Sequence, residues 1–223
     1  EERRLIADTV AKFIAKDYPI ENRVKAANSE IGFSTDNWAK IHELGIPYAL
    51  FSEEFNGFGG DGFDIASLFE ALGKGLIVEP LLISLISGDI LSFSKKHSSL
   101  LQDIISGNKR IAFAHFETQS GYESANILTN VRDQKISGVK SMVQFANGVD
   151  NILVSAIDGQ RLKLYLINPN AKGLKVNDYQ TVDGGRAAEI LLDQVEAIEL
   201  DIDGETALRS ALGKGILALS AEA

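Results

Sequence analysis

Hydrophobic positions follow two different periods along the chain, and the change comes near Gly107. Before it they recur every three to four residues, as on one face of an α-helix. Ser34 or Thr35 can cap one of these helices and Gly45 can close it. The pattern predicts an all-helical domain over residues 1–108, with helices carrying Leu5, Ile6, Val10, Phe13 and Ile14, then Trp38, Ile41 and Leu44, then residues 64–74, 81–96 and 98–106.

From Lys109 the period shifts towards two, which is typical of strands. Strands are predicted at 111–114, 152–157, 161–167 and 187–192, separated by turn sequences such as Asp158-Gly159. Because no helical pattern lies between them, residues 109–203 are expected to form an antiparallel β-barrel or sandwich, and the fold class is α+β. A helical pattern returns after Glu205. Its apolar face would pack against a partner chain or a further domain.

Composition narrows the classes of function. The 223 residues carry a formal net charge of −9, so binding of a nucleic-acid backbone is not expected. The absence of cysteine excludes disulfides, thiolate metal sites and a cysteine nucleophile, and it is compatible with the expected cytoplasmic location. The most apolar region, 76–91, is interrupted by Glu79, Pro80 and Asp89, so it is predicted to be a core helix and not a membrane span.

Two local motifs are candidate sites. The run from Gly57 to Gly62 matches the dinucleotide fingerprint, but Glu53 and Glu54 precede it and no strand–helix–strand unit follows, so a loop between helices is the preferred interpretation. His115 and Glu117 alternate along a predicted strand and are acid–base candidates, although a lone strand histidine is more often structural. Two such groups are too few for a metal, and no metal site is expected.

A set of short segments in a fixed order resembles the acyl-CoA dehydrogenase family. These segments are the helix from Trp38 through Leu44-Gly45-Ile46, Ser52-Glu53-Glu54-Phe55-Asn56-Gly57, Glu70-Ala71-Leu72-Gly73, Pro80, Ile104 to Gly107, Ala112 to Glu117, Ser137-Gly138-Val139-Lys140 and Asp193-Gln194-Val195. The resemblance spans essentially the whole chain. It implies a helical N-terminal domain (1–108), an antiparallel β-barrel middle domain (109–203) and the first helix (204–223) of a C-terminal helical bundle.

The resemblance also implies FAD as cofactor and α,β-dehydrogenation of an acyl-CoA to the trans-2-enoyl-CoA. Flavin contacts in the family come from two segments that align with 113–123 and 138–144. The implied cofactor-binding residues are Phe113, His115, Phe116, Glu117, Gly121, Tyr122, Met142, Val143 and Gln144. The family's catalytic base is a Glu on the bundle, expected beyond Ala223, so we expect this chain alone not to turn over substrate.

The chain departs from the family pattern at the flavin contacts. Phe116 stands where the family has Thr, and Met142-Val143-Gln144 replaces Trp-Ile-Thr. Such divergence resembles the small subunits of heteromeric acyl-CoA dehydrogenases, the type that acts on pimeloyl-like or steroid side-chain CoA thioesters in fatty-acid or steroid side-chain β-oxidation.

Three hypotheses follow from these departures. The chain belongs to an active dehydrogenase, to a degenerate partner subunit, or to a CoA-thioester binding module without a redox role. The resemblance implies an acyl-CoA substrate, an electron-transfer flavoprotein as acceptor, and a homo- or hetero-oligomer.

Overall fold

A computed structural model describes residues 2–121 and 126–223 of the chain. The first half is helical. Its α-helices are α1 (Glu2–Asp17), α2 (Ile20–Ala27), α3 (Thr35–Glu43), α4 (Gly62–Lys74), α5 (Leu81–Ser92) and α6 (Ser98–Ile105). The expected helical region is therefore observed, with α5 ending four residues earlier than its pattern suggested. α2 was not predicted, because its eight residues expose Ile20 and Val24 and bury only two alanines.

Local sequence determines where these helices begin. The Ser34 side chain accepts a hydrogen bond from the amide of Asn37 at the start of α3. Asp61 and Asp64 form a reciprocal capping box at the start of α4. Gly45 follows α3 in the left-handed conformation, at φ 74°, as expected for a residue that ends a helix. The caps fix the ends, while apolar faces packed together supply the core.

The second half forms one sheet of eight strands in the described residues. They are β1 (Ile111–Ala114), β2 (Asn130–Arg132), β3 (Lys135–Gln144), β4 (Asn151–Asp158), β5 (Arg161–Ile167), β6 (Leu174–Gln180), β7 (Arg186–Glu196) and β8 (Ile198–Glu199). The order is β6-β7-β3-β2-β4-β5-β8, with β1 paired to β4.

The observed sheet differs from the expected antiparallel barrel in two respects. β1 and β2 both run parallel to β4, so the sheet is mixed. The path of described strands is also open, with β6 and β8 at its two ends. The parallel pairing arises because β1 enters from the helical domain and lies beside β4, with no hairpin to reverse it.

The two faces of β4 and β5 belong to different cores. Leu153, Leu164 and Leu166 face the helical core, while Ile152 and Val154 belong to the core on the other side of the sheet. This alternation is the two-residue period of a strand. One face of the sheet therefore packs directly on the helices.

The last helix, α7 (Gly204–Glu222), returns to the helical half and packs against α4 and α5. The approach to α4 is close, since a Cβ at Gly73 would lie 2.2 Å from the carbonyl oxygen of Glu222. Ala207, Leu208 and Ala211 are buried there, while Ile216 and Leu219 stay more than half exposed. Part of the apolar face expected to need a partner is thus covered within the chain. That α7 begins a further domain stays a prediction.

None of the described helices combines the length and hydropathy needed to cross a membrane.

Candidate functional site

A network of buried charge lies beneath the end of β1. The Lys140 side chain is fully buried, and its Nζ donates to Glu117 Oε1 at 2.7 Å, to the carbonyl oxygen of His115 at 3.1 Å and to Ser155 Oγ at 3.1 Å. A buried ammonium is stable when each of its three N–H groups has an acceptor, and Lys140 has three acceptors. The strands β3 and β4 are thereby joined to the segment after β1.

Glu117 also holds a neighbouring segment in place. Its Oε2 accepts from the amide of Leu128 at 2.8 Å and its Oε1 accepts from the amide of Thr129 at 3.0 Å. Burial by itself would raise the pKa of Glu117, but the hydrogen bonds from Lys140 and Thr129 hold that pKa below its usual value. Burial lowers the pKa of Lys140 to about 8. The pair is therefore ionised at neutral pH.

His115 belongs to the same network. Its Nδ1 lies 2.9 Å from Ser155 Oγ, and its ring stacks on Phe113 with the ring planes 6° apart. Burial, helped by the nearby Lys140 charge, lowers the pKa of His115 to about 4. The imidazole is therefore neutral at physiological pH. Its partners lie within the protein, and its role towards a cofactor stays a prediction.

The exposed counterpart of this network is a wall formed by Phe116, Met142 and Gln144, which we call the β-wall. The Phe116 and Met142 side chains are 39% and 51% exposed. Gln144 is exposed as well. The amide of Ser141 donates to the Phe116 carbonyl at 2.9 Å, which brings the two aligned segments side by side.

A β-bulge on β3 produces the β-wall. The pairing with β7 shifts register between Lys140 and Val143, and Met142 takes a left-handed φ of 54°. Strict alternation would put Lys140, Met142 and Gln144 on one face. Because of the bulge, Lys140 is buried while Met142 and Gln144 are exposed to solvent. Tyr179 on β6 donates its hydroxyl to Met142 Sδ at 3.1 Å, which holds the thioether.

A cleft of about 420 Å³ lies between the β-wall and the helices. One side is formed by Phe69 and Leu72 of α4 and by the segment 76–83, the other by Met142, Gln144 and Phe145 with the turn 181–186. Leu219 and Glu222 of α7 also contribute. The lining is largely apolar with a few polar groups, which is typical of a small-molecule site.

The carboxylate of Glu79 lies in the cleft lining but is engaged by the protein. The Tyr18 hydroxyl donates to its Oε2 at 2.8 Å, and the amide of Ser34 points to its Oε1. Burial raises the pKa of Glu79. Tyr18 in turn accepts from the amide of Val78 at 3.1 Å, so the pair fixes the segment that enters α5.

The sequence-predicted cofactor residues thus fall into distinct environments. Phe116, Met142 and Gln144 are together on the exposed wall, and Phe113 is half-buried. Glu117 and His115 belong to the buried network, and Val143 is buried in the sheet core, so its side chain does not reach the cleft. Gly121 is exposed after a short turn. Tyr122 lies outside the described residues. Their roles towards a cofactor stay predictions.

Sequence reasoning missed several residues of this region. Lys140 was identified only as part of a motif, and no role was predicted for Ser155, Tyr179 or Arg23, which lines the cleft. Lys140 lies two residues after Gly138 in a strand without clear alternation, which is the available signal of a special position. The other three carry no local signal, because their partners are distant in sequence. Across residues 2–121 and 126–223, His, Asp and Glu side chains form no metal-binding group of three or more.

Comparison with known proteins places this architecture in a family. Residues 1–95 match the family model described as acyl-CoA dehydrogenase, N-terminal domain. Acyl-CoA dehydrogenase IpdE2 of Mycolicibacterium smegmatis is 34% identical over 110 residues, which cover 49% of this chain and 35% of that protein.

Solved structures extend the likeness to the whole chain. A glutaryl-CoA dehydrogenase from Mycobacterium smegmatis in complex with FADH2 has a TM-score of 0.85 at 16% identity, covering 100% of this chain and 61% of that one. The ChsE4–ChsE5 complex from Mycobacterium tuberculosis has a TM-score of 0.85 at 18% identity, covering 100% of this chain and 62% of that one. The chain thus spans about a third of the IpdE2 relative and three-fifths of these structures. The resemblance is confirmed: residues 1–95 carry the acyl-CoA dehydrogenase N-terminal domain, and the whole chain has the fold of these proteins.

Proposed function

We propose that this chain is part of an FAD-dependent acyl-CoA dehydrogenase, oxidising an acyl-CoA thioester to the trans-2-enoyl-CoA. The observation that carries the proposal is the cleft between the helices and the β-wall, which Met142 and Gln144 line, with the segment of Phe116 hydrogen-bonded beside them through the amide of Ser141. An apolar cleft of this size accommodates an acyl chain and excludes water from its reacting carbons.

The β-wall offers what a flavin ring requires on this side. Phe116 and Met142 present apolar surface for the planar ring, and Gln144 supplies an amide for its polar edge. When bound, FAD supplies the acceptor for the hydride that leaves the β-carbon. The residues of this chain bind and orient, and the buried network beneath them fixes the wall in position.

The bulge gives this wall a defined shape. Met142 is held by Tyr179, and the backbone of Ser141 is held by Phe116, so the two segments do not move independently. Pre-organised contacts of this kind lower the ordering cost of binding. An electron-transfer flavoprotein is the acceptor that we propose for the reduced cofactor.

The second candidate is a partner subunit that has lost part of its own site. It is favoured by one observation, the replacement of the expected Thr and Trp by Phe116 and Met142, which removes a hydroxyl and an indole from the wall. One solved structure of the same fold is a complex of two components, ChsE4 and ChsE5. In this role the chain would complete a neighbouring chain's site and associate as a hetero-oligomer.

A visible absorption spectrum separates the candidates. We expect the full-length protein, purified alone, to carry flavin bands near stoichiometric occupancy and to bleach when an acyl-CoA is added. A protein that is colourless alone and yellow only after co-expression with its genomic neighbour would identify a partner subunit. A protein that is colourless in both preparations yet binds CoA thioesters would overturn the redox proposal.

A further inference from the structure

The only sulfur atom in the 223 residues lies on the β-wall. The sequence has no cysteine and a single methionine, Met142. Met142 is 51% exposed and lines the cleft. A thioether is a soft, polarisable nucleophile, and its oxidation to the sulfoxide is a common and reversible modification of methionine. The position of Met142 therefore opens the β-wall to this chemistry.

One side of the Met142 sulfur is already occupied. Tyr179 on β6 and Gln144 on β3 both pair with Ala187 on β7, so the three residues form a row across the sheet. The Tyr179 hydroxyl reaches across this row and donates to Met142 Sδ at 3.1 Å. A thioether sulfur has two lone pairs, and this hydrogen bond engages one of them. In the part of the chain that the structure describes, no second hydrogen bond reaches Sδ, so the other lone pair is free.

We propose that Met142 is a reversible oxidation site, at which hydrogen peroxide adds oxygen to the lone pair that Tyr179 leaves free and so weakens cofactor binding at the β-wall. Sδ attacks one peroxide oxygen, an S–O bond forms and the O–O bond breaks. The sulfur is oxidised by two electrons, and the second peroxide oxygen leaves as water with both protons. The effect on the cofactor rests on the proposed function, whereas the oxidation itself does not.

Oxidation changes the chemistry of the wall. The thioether of Met142 presents apolar surface to the cleft, and a sulfoxide presents a strong hydrogen-bond acceptor in its place. A flavin ring packed on the wall would remove that oxygen from water, which is unfavourable unless a donor meets it. Reduction of the sulfoxide restores the thioether, so the loss of binding is reversible.

The hydrogen bond from Tyr179 makes the oxidation stereoselective. Oxygen added to one lone pair or to the other gives two epimers of the sulfoxide, and each epimer is reduced by its own enzyme, MsrA or MsrB. Because one hydrogen bond of ordinary strength biases the choice, we expect one epimer to exceed the other about two- to tenfold in the folded protein. In the unfolded chain the two epimers should form in equal amounts.

Mass spectrometry tests the site. The full-length protein, freed of any bound flavin, is treated with hydrogen peroxide in buffer and in urea, and the gain of one oxygen is measured on the peptide that contains Met142. Treatment of that peptide with MsrA or MsrB gives the epimer ratio. We expect oxidation in buffer at about the rate found in urea, with one epimer in excess. Tyr179→Phe should bring the ratio close to one, while Tyr48→Phe in the helical half should keep it.

A fluorescence titration tests the effect on the wall. We expect peroxide treatment to raise the flavin dissociation constant of the full-length protein about three- to tenfold, and reductase treatment to restore it. Met142→Leu keeps an apolar side chain of similar volume but has no sulfur. Peroxide should therefore leave the dissociation constant of this variant unchanged.

Slow oxidation in buffer beside rapid oxidation in urea would overturn the inference, because the sulfur would not be accessible in the fold. Equal epimers in the folded wild type would overturn the role given to Tyr179. An unchanged flavin dissociation constant after complete oxidation would overturn the effect on the wall and leave the proposed function intact. Stereoselective oxidation of a protein that binds no flavin in either state would support the oxidation site and overturn the proposed function.

Discussion

The buried network and the β-wall are built from neighbouring residues of the same two segments, yet they have opposite properties. Glu117 and Lys140 are buried and bind each other, while Phe116 and Met142 lie one or two positions away and are exposed, and Met142 lines the cleft. The charged groups of the buried network form their hydrogen bonds within the protein. The β-wall is open to a ligand, and here the chain departs from the family pattern. Substitution is tolerated where the fold does not depend on the side chain, and a buried ion pair does not have that freedom.

The largest effect should come from removing the buried cation. Lys140→Met leaves Glu117 buried without its partner, so we expect the free energy of unfolding to fall by about 3–5 kcal/mol in urea titrations. The double variant Lys140→Met, Glu117→Gln should recover part of that loss, because no unpaired charge remains. A loss below about 1 kcal/mol for the single variant would contradict the role given to the network.

Acid should weaken the network through His115. The pKa of His115 is about 4 in the fold and about 6.5 in the unfolded chain, so the unfolded chain binds more protons between those values. The stability from His115 is present above pH 6.5 and is lost as the pH falls towards 4. Over that range we expect a loss of roughly 2–3 kcal/mol, measured by urea unfolding at several pH values.

A matched pair of variants isolates this effect. His115→Gln should flatten the pH dependence between 4 and 6.5. His97→Gln serves as the control, because the pKa of His97 is also lowered by burial but its side chain hydrogen-bonds to Ser94 in its own turn, outside the network. An equal flattening by both variants would show that the network is not its source.

Restoring family residues on the β-wall should strengthen flavin binding without altering the fold. Met142→Trp with Gln144→Thr returns an indole and a hydroxyl, and a stacked aromatic contributes about 0.5–1.5 kcal/mol. We expect the double variant to show a flavin dissociation constant about 2–10-fold lower than that of the wild type in a fluorescence titration. Val139→Trp, at another exposed position of β3, is the control and should leave the constant unchanged.

The smallest change in stability should come from removing a solvent-exposed ion pair. Lys74 and Glu70 lie one turn apart on α4, with Nζ and Oε1 separated by 2.9 Å and both side chains more than 60% exposed. Lys74→Met should change the free energy of unfolding by less than about 0.5 kcal/mol, since solvent screens the pair. If Lys74→Met lowered the free energy of unfolding as much as Lys140→Met does, the conclusion that burial makes the Lys140–Glu117 pair the more important one would be wrong.

Much of the fold could be predicted from local pattern. The strands 111–114 and 161–167 were predicted at their observed bounds, because their side chains alternate cleanly between two cores. β3 was not found by its period. Gly138 and the bulge at Lys140–Val143 break the alternation, so its ten residues do not read as a strand. The parallel pairing of β1 and β2 with β4 could not be predicted from local pattern either, since strand pairing depends on contacts between residues distant in sequence.

The sequence by itself determined the helical and strand halves, the helix caps and the family, because these depend on neighbours a few residues apart or on the order of short segments. The tertiary structure decided which residues of the candidate site are buried and paired within the protein and which are exposed. His115 and Glu117 look like acid–base candidates along the chain, and only the arrival of Lys140 and Ser155 from other strands makes them a buried network. Arg23 acquires its place at the cleft in the same way, from carbonyl oxygens 53 and 160 residues away. Burial and charge pairing are properties of the assembled fold, so no local pattern encodes them.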